Sequence, residues 1–265
     1  MIIIKKIGLL IVFLAILYTI NLYDERVSPI ITYLPYQESY EKIKICSKKE
    51  EEFYFINLDY SENKIDEAFQ YLTMKANCLP LEFKTHLPYQ ARLLDYDLQN
   101  ETLSLNVSKE FLLYKEEDDF SIARELFFSY YEQGIKKLFL YVEGEKLNQL
   151  GQIDISMGID QNIGINHQII ASHNSKSIII YYTYDEYIYP VTYVVDKNVN
   201  EASFIINNLF SFYELGEILD VSFDNNDIII KAQKYTENAK TALKESLKGY
   251  YQEITFHFVD NVPSS

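Results

Sequence analysis

Four histidines carry the obvious acid–base and metal-binding chemistry of this chain: His86, His167, His173 and His257. His167 and His173 lie six apart, a spacing that neither a helix face nor an H-E-x-x-H motif supplies. His257 alternates inside a strand-like run and His86 precedes Leu87-Pro88, so all four read as ordinary polar side chains. No G-x-S-x-G, P-loop or G-x-G-x-x-G occurs, and Gly158 to Gly164 has the wrong internal spacing to cradle a phosphate. The run Glu116-Glu117-Asp118-Asp119 lacks the calcium-loop pattern and reads as favourable charge at a helix N-terminus. Asp224-Asn225-Asn226-Asp227 reads as turn chemistry. With 39 acidic residues, carboxylate pairs suited to glycan hydrolysis arise by chance, and nothing selects one. Cys46 and Cys78 are either two small buried apolar side chains or, in an oxidising compartment, a disulfide adding about 3 kcal/mol. The sequence therefore nominates no catalytic, cofactor-binding or metal-ligating residue, and a non-enzyme is expected.

The whole composition points the same way. The chain has 265 residues, 48% of them apolar, enough for one large domain or two small ones with a real core. A net charge of −15 argues against nucleic-acid binding, which needs cations to displace phosphate counterions. It equally opposes docking by charge on anionic lipid or anionic wall polymers.

Residues 1–23 read as a membrane anchor. Lys5 and Lys6 precede an uncharged stretch, Ile7–Leu22, and Asp24-Glu25 follow it. As a helix this stretch spans about 24 Å, which flanking Ile2–Ile4 and interfacial Tyr18 and Tyr23 extend toward a hydrocarbon core of roughly 30 Å. The charge asymmetry places the N-terminus in the cytoplasm and the rest outside. A cleaved signal peptide fits less well, since Thr19-Ile20-Asn21-Leu22 offers no small-residue cleavage site. Residues 24–40 form a juxtamembrane spacer.

The remainder contains a duplication. Phe53–Leu58 is a strand; Asn63 caps a helix bearing Ile65, Ala68, Phe69 and Leu72; Ala91–Asp97 and Thr102–Val107 form a hairpin. A helix from about Asp119, carrying Ile122, Leu126, Phe127 and Tyr130, ends near Gly134 before the strand Ile135–Val142. The second half replays this order. Tyr187–Val195 is its strand, and Asn198-x-x-Glu201 opens a helix with Ala202, Ile205, Ile206 and Leu209. Gly216–Phe223 and Ile228–Ala232 form its hairpin; Ala239, Ala242, Leu243 and Leu247 mark its last helix; Ile254–Val259 closes it. Leu94-Asp95 matches Leu219-Asp220, and Asn100 matches Asn225. The expected fold is α+β: two tandem split β-α-β-β-α-β domains, residues 41–143 and 181–265, joined by a glycine-containing connector, residues 144–180. Ile153, Ile155, Ile159, Ile163 and Ile165 give that connector apolar residues to dock.

Leu87–Phe111 (LPYQARLLDYDLQNETLSLNVSKEF) resembles the core of the GerMN domain, a family named for a spore-germination protein. The likeness rests on Leu87-Pro88, Leu93-Leu94, the Gln99-Asn100 turn, Leu105-Asn106-Val107-Ser108 and Phe111; Tyr141-Val142-Glu143-Gly144 resembles the family's closing strand. The second half lacks the Leu-Pro and Ser-x-x-Phe elements, and no lipid-attachment cysteine precedes Cys46. The resemblance implies tandem GerMN domains outside the cytoplasm in a non-enzymatic role, an interaction or structural part of sporulation or germination envelope complexes. Partners are then envelope or sporulation proteins, with the membrane contacted through residues 7–22 and self-association left open. The alternatives are a cell-wall glycan-binding module, with sugars stacked on Tyr- and Phe-lined sheet faces, and an envelope hydrolase.

Overall fold

A computed structural model describes residues 41–60, 63–73, 79–169, 174–184, 187–216, 218–224, 227–232, 235–251 and 253–258. The expected anchor and spacer, as well as Cys78 and His173, lie outside the described residues. Among the described residues, no helix is long and apolar enough to cross a membrane.

The first half opens with strands β1 (Glu41–Lys49) and β2 (Glu52–Tyr60), paired antiparallel from Glu41↔Tyr60 to Lys49↔Glu52. Helix α1 (Lys64–Leu72) follows, its first turn held by the Asn63 side chain, which accepts from the Ile65 and Asp66 N–H groups. Strands β3 (Leu93–Gln99) and β4 (Thr102–Val107) form the expected hairpin, turning at Asn100 with φ 56°. Asn tolerates this left-handed conformation. Helix α2 (Asp119–Tyr131) then crosses to β5 (Lys137–Val142), which lies parallel to β4.

The second half repeats these elements. Strands β6 (Ser175–Tyr184) and β7 (Tyr187–Asp196) pair antiparallel and lead into α3 (Glu201–Phe212). The β8 (Ile218–Asp224) and β9 (Asp227–Ala232) hairpin, α4 (Glu237–Leu247) and β10 (Glu253–Phe258), parallel to β9, complete it. The cap of α3 differs from expectation: Asn200, not Asn198, precedes the helix and accepts from the Ser203 N–H at 2.9 Å.

The β-α-β-β-α-β order is present in both halves, but each is preceded by an additional strand and neither forms one split sheet. β1 reads EKIKICSKK, a period-two alternation masked by its lysines. β6 begins inside the stretch expected to be connector, although Ile178-Ile179-Ile180-Tyr181-Tyr182 is a strong β-type run. The two N-terminal hairpins share one sheet, meeting where Ile188 of β7 pairs with Phe55 of β2. The later strands of each half form separate sheets, β3-β4-β5 with the two-residue strand Glu145–Lys146 added beyond β5, and β8-β9-β10. The expectation of a split β-α-β-β-α-β domain in each half is thus corrected in its sheet pairing, while the element order and the α+β class stand. Residues Ile188 and Pro190–Tyr193 of β7 are buried, as in a strand with neighbours on both sides.

Two cores result. One gathers Phe69, Leu72, Leu105, Phe111, Leu126 and Phe127 and also takes Ile179, Tyr181 and Ile188 from the second hairpin. The other gathers Ile180, Val191, Ile205, Leu209, Leu243 and Leu247. The connector docks as its isoleucines suggest: Ile155, Ile159 and Ile165 are buried, and Ile159 exchanges backbone hydrogen bonds with Leu138 at 2.7 and 2.9 Å. Asn166 then stitches the halves together. Its amide nitrogen donates to the Phe53 and Pro190 carbonyls at 2.7 and 2.9 Å, and its oxygen accepts from the Phe53 N–H at 3.0 Å.

Candidate functional site

His86 and His167 stand in separate surroundings. His167 is exposed, His257 lies in β10, and among the described residues no group of three His, Cys, Asp or Glu side chains is placed to hold a metal ion. His86 has a partner that sequence reasoning missed. Glu125, fully buried on α2, accepts from the His86 N–H at 2.8 Å and lies 2.7 Å from its Nδ1. Asp118 Oδ1 stands 3.9 Å from Nε2. Burial pushes the Glu125 carboxyl up, His86 works against this, and the hydrogen bond to Glu125 raises the imidazole in turn. The pair fastens the loop before Leu87-Pro88 onto α2. Glu125 is hidden in the sequence because it interrupts an otherwise apolar helix face beside Leu126. The acidic run lies at a helix N-terminus, as expected: Glu116–Asp118 forms a 3-10 turn, Asp118 precedes α2 and Asp119 opens it. Asp119 Oδ2 accepts from the Gln152 N–H at 2.9 Å, tying α2 to the connector. Gly151 is required there: its φ is 55°, and a Cβ would sit 2.7 Å from Asp119 Oδ2. Cys46 is a buried free thiol whose pKa burial pushes up.

A second cluster joins the halves. Glu132, buried at the end of α2, accepts from Lys44 of β1 (3.0 Å), the Tyr181 hydroxyl of β6 (2.7 Å) and Lys248 beyond α4 (2.9 Å). Glu245 pairs with the same two lysines. Burial pushes Glu132 up, but Lys44 and Lys248 outweigh it and hold the carboxyl below its ordinary value. Glu132, Tyr181, Glu245 and Lys248 border a cleft of about 550 Å³ whose lining also includes two further ion pairs, Lys136–Glu101 and Lys176–Glu201, each at 2.7 Å. The cleft's charges are matched internally, which suits a joint better than a receptor for a charged ligand.

The shared sheet carries an aromatic strip on one face. Tyr54 contacts Tyr189 (centroids 5.2 Å apart), Phe83 contacts Tyr187 (4.9 Å), and Tyr182 contacts Phe212 (4.6 Å). Glu52 accepts from the Tyr54 and Tyr189 hydroxyls, and Lys49 lies over the Phe83 and Tyr187 rings. Burial, followed by Glu52, pushes the Tyr54 phenol up to about 12.

The third feature is strand β3, at the edge of its sheet and open to solvent along Leu94–Gln99. Leu94, Tyr96 and Leu98 remain 45%, 37% and 45% exposed, although Tyr96 and Leu98 oppose buried Leu105 and Leu103 of β4. Asp95 and Asp97 occupy the other face, opposite Asn106 and Ser104. They border a hollow of about 250 Å³ that also includes Tyr141 and Gly144. The duplication makes the acids informative. At the equivalent place Asp220 of β8 pairs across the ladder with Lys231 at 3.1 Å, whereas Asn106 faces Asp95 and donates no charge. Among the described residues no Lys or Arg is paired with Asp95 or Asp97.

Two ββαββαβ halves that pool their leading hairpins in one sheet define an α+β protein with the fold of tandem GerMN domains. Its structural likeness is to the tandem GerMN domains of the sporulation protein GerM from Bacillus subtilis: TM-score 0.69 at 17% identity, covering 84% of this chain and 93% of that one. The first GerMN domain of the same protein matches with TM-score 0.42 at 21% identity, over 46% of this chain and 98% of that one. A putative lipoprotein from Clostridium perfringens matches with TM-score 0.33 at 17% identity, over 47% and 88%. No family model and no curated protein sequence matches the chain.

Proposed function

We propose that this chain is a GerM-like, membrane-anchored, extracytoplasmic interaction module that takes part without catalysis in sporulation or germination envelope complexes. The observation that carries the reading is the open β3 edge: a strand with no second neighbour among the described residues, beside exposed Leu94, Tyr96 and Leu98, is a template for strand addition. The fold shared with tandem GerMN domains supports it, and the uncharged Ile7–Leu22 stretch between Lys5-Lys6 and Asp24-Glu25 supports anchoring. The test is recovery of specific envelope proteins by the full chain, paired with a peptidoglycan hydrolysis assay. Peptidoglycan turnover abolished by one carboxylate-to-amide change would overturn the non-catalytic reading. A reporter fused after residue 30 is expected to be active outside the cell with Met1 retained; a product starting near residue 23 would overturn the anchor.

The aromatic strip supports a second reading, binding of cell-wall glycan, because phenol rings stack on pyranose faces while Glu52 accepts hydroxyl hydrogen bonds. Co-sedimentation with purified peptidoglycan that is lost on Tyr189→Ala distinguishes it.

A further inference from the structure

We propose that β3 receives, as an added strand, a segment of a partner protein in which basic and apolar residues alternate. The inference rests on the interaction reading above and names its partner by chemistry. A strand laid along β3 places every second side chain on each face. On one face it meets Tyr96 and Leu98, which β4 and the core leave partly uncovered, next to exposed Leu94 at the bulge between Leu93 and Asp95. On the other it meets Asp95 and Asp97 at the rim of the hollow that Asn106 and Tyr141 line. Apolar residues complement the first face, and Lys or Arg reaching into the hollow complements the second.

The backbone is prepared for the exchange. The Tyr96 N–H is taken by Asp95 Oδ1 at 2.8 Å rather than by a neighbouring strand. A partner carbonyl can replace that carboxylate, releasing Asp95 to pair with an incoming cation. In the second half Lys231 already neutralises Asp220, so the corresponding edge does not make the same demand. A second copy of this chain is a poor occupant, because β3 paired with itself sets like charges of Asp95 and Asp97 across one face.

The experiment uses the full chain in detergent and fluorescent peptides of about nine residues. One alternates Val with Lys, one alternates Val with Glu, and one carries the Val and Lys of the first in two blocks. The alternating basic peptide is expected to bind about tenfold more tightly than either control, weakening as salt rises from about 50 to 500 mM. The double variant Asp95→Lys, Asp97→Lys is expected to invert the preference between the two alternating peptides. Leu98→Asp is expected to weaken binding about tenfold with an unchanged melting temperature. Since β3 is solvent-exposed, both variants should fold, and amide exchange on the parent chain gives a readout independent of them. Bound peptide should slow exchange at Tyr96 and Leu98. Equal binding of the blocked peptide, or retained preference in the double variant, would overturn the proposal by reducing it to general attraction toward an acidic protein. An edge-mediated dimer in sedimentation would overturn it in favour of a second copy. If the edge variants recover the same envelope proteins as the parent, the β3 proposal falls while the interaction reading stands.

Discussion

Glu132 is the residue on which the two halves most depend. Its carboxylate receives Lys44 from the first half and Tyr181 and Lys248 from the second while almost out of water. Replacing it by Ala leaves those donors facing a void, and a loss of about 3 kcal/mol is expected. Because its folded pKa lies below the ordinary 4.5, the stability it supplies is present above that value and lost as pH falls through the folded one. Melting temperatures followed from pH 7 downward should therefore converge for parent and Glu132→Gln in the acid range. His86 has the opposite sign. Its folded pKa is raised above 6.5, so its contribution is fully present below that value and fades as pH rises through the folded one. His86→Ala should cost about 2 kcal/mol by stranding buried Glu125, with the deficit largest in mildly acidic buffer. Any effect of that substitution on function should be no larger than this loss of folding explains.

Helix starts give the sharpest test among the elements. Asn63 and Asn200 each satisfy N–H groups of a first helical turn, whereas Asn198 lies outside the helix with its N–H bonded to Asp196. Asn63→Ala and Asn200→Ala should each cost about 1 kcal/mol, while Asn198→Ala should stay within about 0.5 kcal/mol. Denaturant unfolding of the three variants separates the capping-box expectation from the observed cap. Helix packing contributes more than capping: Leu126→Ala in the first core should cost about 2–5 kcal/mol and abolish function through unfolding. Strands are less legible in the sequence than helices. Alternation reveals β3 and β4, but β1 hides behind its lysines and β6 behind a neighbouring polar connector.

At the scale of the molecule, the shared sheet implies that the halves unfold together. Ile188↔Phe55, the Asn166 amide and the Glu132 cluster all cross the joint. A single thermal transition is expected for the parent chain. Asn166→Ala removes three hydrogen bonds at once and should cost about 1–3 kcal/mol, with faster amide exchange at Phe53 than at β4 or β9. Two transitions in the unmodified chain would contradict this coupling.

Local chemistry let the sequence alone determine the α+β class, the duplication, the four helices from Asn63 to Leu247 and the turn at Asn100. Apolar spacing, caps and left-handed turn residues act within a few positions of one another, so their signals are legible in one dimension. The Leu87–Phe111 stretch is legible for the same reason: Leu87 and Phe111 are buried, and the Ser108 hydroxyl accepts from the Arg92 N–H at 3.1 Å. Tertiary structure decided which strands pair, because hydrogen bonding between β2 and β7 joins residues over a hundred positions apart and leaves no periodic trace in either. It likewise decided that Glu125 meets His86 and that Asp95 meets Asn106 where Asp220 meets Lys231. Those pairings depend on register and on burial, which exist only once the sheets have formed.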